Sequence, residues 1–393
     1  MAIALLIGLP RGQRGPKPPA STRVEEVFGA SRSLTKAPRQ KGKFPMKREV
    51  LDVEGWREVV AFEDDASGLK AIVAIHNAAL GPGCGGTRIR PYGSFEEALE
   101  DVKKLSRGMT YKNALGGIPF GGGKAVIIAD PKTDKTPELF QAYGKAIDSL
   151  EGRYYTAEDS GVTEHDLQIV REQTPFVAGV ASEGEGGNPS PFTARGVWRG
   201  IQSAARFKFG AASLEQITVA ILGVGAVGME LARLLHTEGA KLIVADVDQA
   251  ATAKAAEQFG AEIVAPEDCI AARADVFSPC ALGGAIRSGE IERLHAAIVA
   301  GAANNQLATP EMDAALRERD ILYAPDYVIN AAGVISVGLE ILNEWCAEEM
   351  NARIDHIGPT LRRIFERAEE EGRPTGEIAD RMAMEIISRA AAA

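Results

Sequence analysis

Apolar residues alternate with polar ones over residues 58–62 and 69–75, the two-residue period of half-buried strands. Ser94-Phe-Glu-Glu97 has the capping-box pattern. Apolar residues then fall at Phe95, Leu99, Val102, Leu105 and Met109, the spacing of one helical face. Gly108 is expected to end this helix, which puts Met109-Thr-Tyr-Lys-Asn-Ala114 just past a helix terminus. The glycine-rich stretch 116–123 then reads as a turn, and Ala125-Val-Ile-Ile128 as a buried strand closed by Asp130-Pro131. Further on the rhythm changes. Strand candidates at 217–222, 241–246, 262–264, 275–278, 297–300 and 321–323 have helical stretches between most of them. Six strands in such alternation match a full doubly wound sheet. Residues 339–390 are mostly helical and charged and are expected to pack back across both domains.

The 393 residues thus divide into an extension (1–45), an α/β substrate domain (46–185), a doubly wound domain (186–335) and C-terminal helices (336–393). The net charge of −10 argues against a nucleic-acid partner. No apolar run reaches the roughly 18–20 residues of a spanning helix, so no membrane partner is expected. Residues 1–45 hold nine Lys or Arg and only two acids, Glu25 and Glu26, with much Pro, Gly and Ser. They read as disordered. An organelle leader and an upstream start codon, with Met46 as the working start, are two further readings, of which the last is preferred. Cys84, Cys269, Cys280 and Cys346 form no paired motif, which fits a reducing, cytoplasmic compartment. The scattered histidines give no metal-ligand spacing, so no metal is expected.

The apolar run Ile217–Leu222 leads into Gly223-Val224-Gly225-Ala226-Val227-Gly228 and then an apolar-periodic helix ending near Gly239. A second strand ends at Asp246, 18 residues past the last glycine. A glycine fingerprint alone is weak, but between strand and helix with an acid at this spacing it marks a Rossmann dinucleotide site. Gly223 allows the tight turn, Gly225 the approach of the pyrophosphate, and Gly228 close helix–strand packing. The helix N-terminus offers free N–H groups to phosphate. Asp246 can accept from ribose hydroxyls and would repel a 2′-phosphate, so NAD is favoured over NADP.

Lys112 and Lys124 flank a stretch containing Gly116, Gly117, Gly121, Gly122 and Gly123. Glycines let backbone and substrate approach closely. Two lysines there are expected to be partly desolvated and near each other, and both effects lower a lysine pKa. One could hold a substrate carboxylate while the other serves as a base; a pair of solvated loop lysines fits the spacing equally well. Asp159, in Tyr155-Thr-Ala-Glu-Asp-Ser-Gly161, is either a functional acid or a helix cap.

At these residues the chain resembles the glutamate, leucine, phenylalanine and valine dehydrogenases, across about residues 50–390. The resemblance is carried by Gly81-Pro-Gly-Cys-Gly-Gly-Thr-Arg88, Met109–Ala114, Gly121-Gly-Gly-Lys124, Thr156-Ala-Glu-Asp159 and Gly187-Asn-Pro-Ser-Pro191. Pro279-Cys-Ala281, Gly301-Ala-Ala-Asn-Asn-Gln306 and Ala324-Pro-Asp-Tyr-Val-Ile-Asn330 continue it. It implies reversible oxidative deamination of an L-amino acid to a 2-oxo acid and ammonia, by an octamer or other higher homo-oligomer. By the resemblance Lys112 holds the α-carboxylate, Lys124 is the general base for the attacking water, and Asp159 shuttles protons to and from the amine. Asn304 would order substrate and nicotinamide. Ser190, Thr193, Cys280 and Ala281 would contact the cofactor alongside the fingerprint.

The substrate side chain is expected against Cys84, Gly85, Ala157, Val334 and Val337. Glutamate enzymes of the family usually carry a lysine at the place of Cys84 and a hydroxyl residue at that of Val337. A glutamate carboxylate here would be buried unpaired, whereas a branched apolar side chain gains roughly 1.5–3 kcal/mol. The resemblance is therefore nearest the leucine enzymes, with valine and isoleucine also accepted. Cysteine is smaller than the leucine usual at its place, so a phenylalanine or tryptophan enzyme is the alternative. Gly123, where alanine is common in the family, is expected to be a harmless change. A non-catalytic NAD-binding regulator would keep the glycine fingerprint but has no need of Lys112, Lys124 and Asp159 together.

Overall fold

A computed structural model describes residues 46–180, 190–281 and 283–392. The expectations for residues 1–45 and for Gly187–Pro189 lie outside the described residues. No described helix is long and apolar enough to cross a membrane.

The first domain is built on β1 (Lys47–Leu51), β2 (Glu58–Asp64), β3 (Leu69–Asn77), β4 (Gly83–Arg90), β5 (Gly121–Ile128) and β6 (Tyr154–Glu158). Their order is β1-β2-β3-β5-β4-β6. Pairing is antiparallel from β1 through β3 to β5, and parallel between β5 and β4 and between β4 and β6. Alternation along each strand sets the two faces. Val59, Ile72, Ala74 and Val126 pack with Ala98 and Val102 of α1 (Phe95–Leu115). Val60, Val73, Ala125 and Ile127 pack on the other face with Leu139 and Tyr143 of α2 (Pro137–Asp148) and Leu167 of α3 (Glu164–Arg171).

Three local expectations are corrected. Helix α1 does not stop at Gly108 but continues to Leu115, with Ser94 as its N-cap. Gly108 faces open space and costs about 1 kcal/mol against alanine. Tyr111, Ala114 and Leu115 beyond it are buried and offset that cost. The chain turns instead at Gly116 and Gly117, the latter at φ +67. Lys112 therefore sits in the last helical turn. Likewise β5 begins at Gly121, so Lys124 is a strand residue and not part of a turn. The three glycines serve close packing: side chains at Gly121 and Gly122 would run into the backbone at Asn77 and into Thr110 of α1. Gly123 is also not a neutral choice, because a Cβ there would lie 2.6 Å from the Tyr154 ring.

The second domain carries β7 (Thr218–Leu222), β8 (Lys241–Ala245), β9 (Glu262–Ile263), β10 (Val276–Pro279), β11 (Ile298–Val299) and β12 (Leu322–Tyr323). All pair in parallel, in the order β12-β11-β10-β7-β8-β9. The order reverses between β7 and β10, where doubly wound sheets bind ligands. Helices α4 (Ser190–Phe209), α5 (Ala226–Thr237) and α6 (Gln249–Phe259) are followed by the short α7 (Pro266–Cys269), α8 (Ser288–Arg293), α9 (Glu311–Glu318) and α10 (Asp326–Ile329). The chain ends in α11 (Ala332–Ile341), α12 (Ala347–Asp355), α13 (Ile357–Glu371) and α14 (Thr375–Ala392). Leu361, Ile364 and Phe365 of α13 are buried in the same cluster as Val197 and Ile201 of α4, each contributing roughly 1.5–3 kcal/mol. Helix α14 packs on α1 of the first domain and on β12 of the second, so the chain's end spans both.

Candidate active site

Three of the expected site residues, Lys112, Lys124 and Asp159, lie where α1 packs on β5 beside the end of β6. Lys124 is buried at 7 % exposure. Its Nζ lies 2.9 Å from Asp159 Oδ2, just beyond β6. Arg88 Nε of β4 approaches the same oxygen at 3.3 Å. Burial works against a charge on Asp159, but Lys124 and Arg88 outweigh it and hold the carboxyl below its ordinary range. Arg88 is fixed in turn by Asp101 of α1 at 3.1 Å, and Tyr92 donates to Asp101 at 2.7 Å.

Lys112 reaches the same place from the end of α1. Burial pushes its ammonium down to about 8, opposed by Asp326 and reinforced by the charge of Lys124. The two lysines are thus electrostatically coupled, and Lys112 is desolvated, as the glycine-rich setting predicts.

Glycines set the floor of the site. A side chain at Gly85 would strike the Gly123 carbonyl, and one at Gly86 the Glu158 carbonyl and Asp159. Asn113, fully buried on α1, donates to the carbonyls of Cys84 (3.2 Å) and Gly121 (2.7 Å) and so ties the helix to both strands. From beneath, Tyr154 donates to the Gly85 carbonyl at 2.6 Å.

Cys84 is buried, and its thiol is pushed up to about 12 by burial, with Lys124 opposing and Glu340 adding. Ala157 is buried on β6. Val334 and Val337 of α11 are half-buried against the cluster that contains Cys84, Ile118 and Phe120. Glu340, one turn past Val337, accepts from the Gly179 N–H at 2.7 Å.

The residues at the glycine fingerprint fit a dinucleotide. Gly223, at φ +100, lies so close to Ala281 that a Cβ would come within 2.7 Å of its nitrogen. Gly228 backs directly on the Gly223 carbonyl, while a Cβ at Gly225 would meet nothing within 4 Å. That is the division of labour the fingerprint requires: tight turn, close packing and an open approach. Helix α5 has Gly225 as its N-cap and no side-chain cap, so its first N–H groups suit an anion. Val224 and Asp246 meet at the loop: the Val224 N–H donates to Asp246 Oδ2 at 2.7 Å. Val227 is half-buried on α5, and Cys280 and Ala281 follow β10. Ser190 and Thr193 occupy the first turn of α4, which packs on α5. Asn304 is exposed, and Asn330 donates to its Oδ1 at 2.8 Å.

Sequence reasoning assigned no role to Arg88, Asn113, Tyr154, Asp326 or Glu340. Arg88 and Asp326 lie inside blocks that carry the resemblance, but an acid before a short helix reads equally as a cap. Nothing in spacing alone brings Glu340 to the Gly179 N–H.

Comparison with known proteins agrees with this geometry. Residues 57–176 match the model of the Glu/Leu/Phe/Val dehydrogenase dimerisation domain, and residues 245–393 that of Glutamate/Leucine/Phenylalanine/Valine dehydrogenase. Residues 192–283 match the NAD-binding domain of D-isomer specific 2-hydroxyacid dehydrogenases. The chain is 48 % identical to leucine dehydrogenase of Geobacillus stearothermophilus over 338 residues, covering 86 % of this chain and 92 % of that protein. It is 43 % identical to valine dehydrogenase of Streptomyces coelicolor, covering 86 % and 94 %. The crystal structure of L-tryptophan dehydrogenase from Nostoc punctiforme superposes with a TM-score of 0.78 at 40 % identity, over 86 % of this chain and 97 % of that one. The glycine fingerprint, the doubly wound sheet and these matches together place the chain in the Glu/Leu/Phe/Val dehydrogenase family, as an NAD-dependent amino-acid dehydrogenase.

Proposed function

We propose that the enzyme oxidatively deaminates apolar L-amino acids, leucine foremost and valine and isoleucine as well, to the 2-oxo acid and ammonium, and runs the reverse amination. The observation that carries this reading is the apolar lining: Cys84 and Ala157 are buried, and Val334 and Val337 pack against the same cluster as Cys84. A glutamate carboxylate entering there would meet no cation on α11 and would be buried without a partner. A branched apolar chain loses nothing by it.

In this reading Gly223–Gly228, the α5 N-terminus and Asp246 would hold NAD, with Ser190, Thr193, Cys280 and Ala281 alongside, and the cofactor would supply the hydride acceptor. Lys112 fixes the α-carboxylate, which requires its ammonium form. Asp159 takes a proton from the substrate ammonium. Lys124 first passes its own proton to solvent by way of Asp159 and then, as the amine, takes one from the water that adds to the imino carbon. Loss of ammonia from the carbinolamine then leaves the 2-oxo acid. The net change consumes one water and releases ammonium, reduced cofactor and one proton. Asn304, tied to Asn330, orders the substrate on the nicotinamide side. An octamer is the assembly that accompanies this reading, and sedimentation velocity tests it.

A panel of L-leucine, L-valine, L-isoleucine, L-phenylalanine, L-tryptophan and L-glutamate with NAD, followed by absorbance of the reduced cofactor, tests the specificity. The highest kcat/KM is expected for leucine and none for glutamate. A higher kcat/KM for tryptophan or phenylalanine would replace leucine with an aromatic substrate, the reading that the small Cys84 side chain allows.

A further inference from the structure

Asp159 follows β6 directly, and β4 holds the turn that carries it. A Cβ at Gly86 would lie 2.3 Å from the Glu158 carbonyl and 2.9 Å from Asp159 Cβ, so the two strands meet there without a side chain between them. The Ile89 N–H donates to the Ser160 carbonyl at 2.9 Å. Gly161, at φ +84, lies so close to the Ile89 carbonyl that a Cβ would come within 2.4 Å. Arg88 stands between these contacts on β4. Its guanidinium spans two carboxylates. Nε lies 3.3 Å from Asp159 Oδ2, and Nη1 lies 3.1 Å from Asp101 Oδ2 of α1. Asp101 Oδ2 also accepts from the Tyr92 hydroxyl at 2.7 Å, so the far end of the fork is itself held.

The two cations at Asp159 Oδ2 differ in one property. Lys124 must lose its proton to serve as the base, and Asp159 then faces an uncharged amine 2.9 Å away. An arginine keeps its charge at any working pH. Its contact with Asp159 is one of charge, since Arg88 Nε and Asp159 Oδ2 are both buried from water and neither has a hydrogen-bond partner. A carboxylate left there without a cation would keep the proton it took, because burial favours the neutral form. We propose that Arg88 is a positioning residue of the proton path, a permanent cation that fixes Asp159 against Lys124 and remains its counter-ion while Lys124 is the neutral amine. This rests on the reading of Asp159 as the proton shuttle. Asp101 fixes the guanidinium to α1, the helix that also carries Lys112, so anchor and shuttle share one support.

The charges that face Asp159 come from every element around it. The cations are Lys124 on β5, Arg88 on β4 and, farther off, Lys112 on α1. The acids are Glu158 on β6 and, next to Glu158, Glu164 and Asp166 of α3, of which Asp166 is paired with Lys135. Without Arg88, Lys124 alone among the described residues is within ion-pair distance of Asp159. The Asp159 carboxyl then holds its proton to a higher pH. Lys124 loses a like-charged neighbour at the same time, so nothing there opposes the shift.

The experiment compares wild type, Arg88→Gln, Arg88→Lys and Asp159→Asn in the deamination direction. It measures kcat with saturating NAD and the best amino acid from about pH 6 to pH 10, where kcat reports groups of the loaded enzyme. Folding is checked by far-UV circular dichroism and by the affinity for NADH. For Arg88→Gln, the pH below which kcat declines should rise by about one unit. On that declining limb kcat should fall about tenfold, the counterpart of a one-unit shift. KM for the amino acid and the affinity for NADH should change less than about threefold, because neither the carboxylate anchor nor the glycine fingerprint is touched. Arg88→Lys keeps a cation without the fork and should restore most of the pH profile. If Arg88→Gln does not fold, Arg88→Met fills the same space with an unbranched apolar chain, removes the same charge and gives the same readout. A folded Gln or Met variant with an unshifted pH profile overturns the proposal, whether kcat is unchanged or lowered evenly at every pH, provided Asp159→Asn has lost turnover. A variant that changes KM alone overturns it as well. If Asp159→Asn keeps wild-type turnover, the shuttle reading fails first, and the inference with it.

Discussion

At the scale of single residues, the site depends on atoms that are missing as much as on those present. Gly123 has no side chain, and the Tyr154 ring fills the space, its hydroxyl reaching the Gly85 carbonyl. Gly123→Ala should therefore cost about 1–3 kcal/mol through overpacking and lower activity with it, because Tyr154 must withdraw from Gly85. Thermal unfolding and kcat/KM read both. The sequence shows the three glycines and the two lysines, but not why the glycines are there. The reason is the contact of α1 and Tyr154 with β5, which depends on pairing far apart in the chain. His76 was equally silent. It is half-buried, bonds Thr110 at 2.8 Å and lies edge-on to Trp56. Burial, with Arg107 adding, pushes its pKa from 6.5 down to about 4. The unfolded chain therefore binds the extra proton first as pH falls. Stability tied to His76 is present above pH 6.5 and is lost toward pH 4. His76→Gln should remove that part of the loss, seen as a smaller fall of Tm between pH 7 and 5 than in wild type.

At the scale of elements, periodicity located α1, β2, β3, β5 and the six strands of the doubly wound sheet, passed over β1, β4, α2, α3 and α4, and misjudged the ends that matter most. A glycine in a helical stripe is a stop signal only where the stripe ends with it, and beyond Gly108 the stripe goes on through Tyr111, Ala114 and Leu115. Those last turns carry Lys112 and Asn113 into the site. The start of α14 is another junction invisible in the sequence. Asp313 of α9 accepts from the Gly376 N–H at 2.7 Å and from the Thr375 hydroxyl at 3.4 Å, and so caps a helix more than sixty residues away. Burial pushes its carboxyl up to about 6. A raised carboxyl pKa means the folded state holds the proton more tightly, so this contribution is full below about pH 4 and lost as pH rises through 6. Asp313→Asn keeps an acceptor for Gly376 without the charge. Its Tm should exceed that of wild type at pH 8 and approach it at pH 5. A lower Tm than wild type at pH 8 would show that the ionised carboxylate is the better cap.

At the scale of the whole molecule, the chain completes the sheet β1–β6, then the sheet β7–β12, and returns to the first domain through α14. The doubly wound half was legible because each strand, its glycine turn and its acid are adjacent in sequence. The first half was legible as strands and one helix, but its order, with β5 inserted between β3 and β4, was not. Lys112, Lys124 and Asp159 come from α1, β5 and the end of β6. The sequence offers such a constellation only as separate motifs, and resemblance to a family is what joined them. The central claim is that this constellation performs the oxidation of an apolar L-amino acid. The direct measurement is the rate of NADH formation from saturating L-leucine by wild type and Lys124→Ala, with NADH affinity measured on both. The account predicts turnover by the wild type, and a fall of at least about a hundredfold in the variant with NADH affinity unchanged. A variant that keeps wild-type turnover would contradict it, as would a wild type that oxidises no apolar L-amino acid.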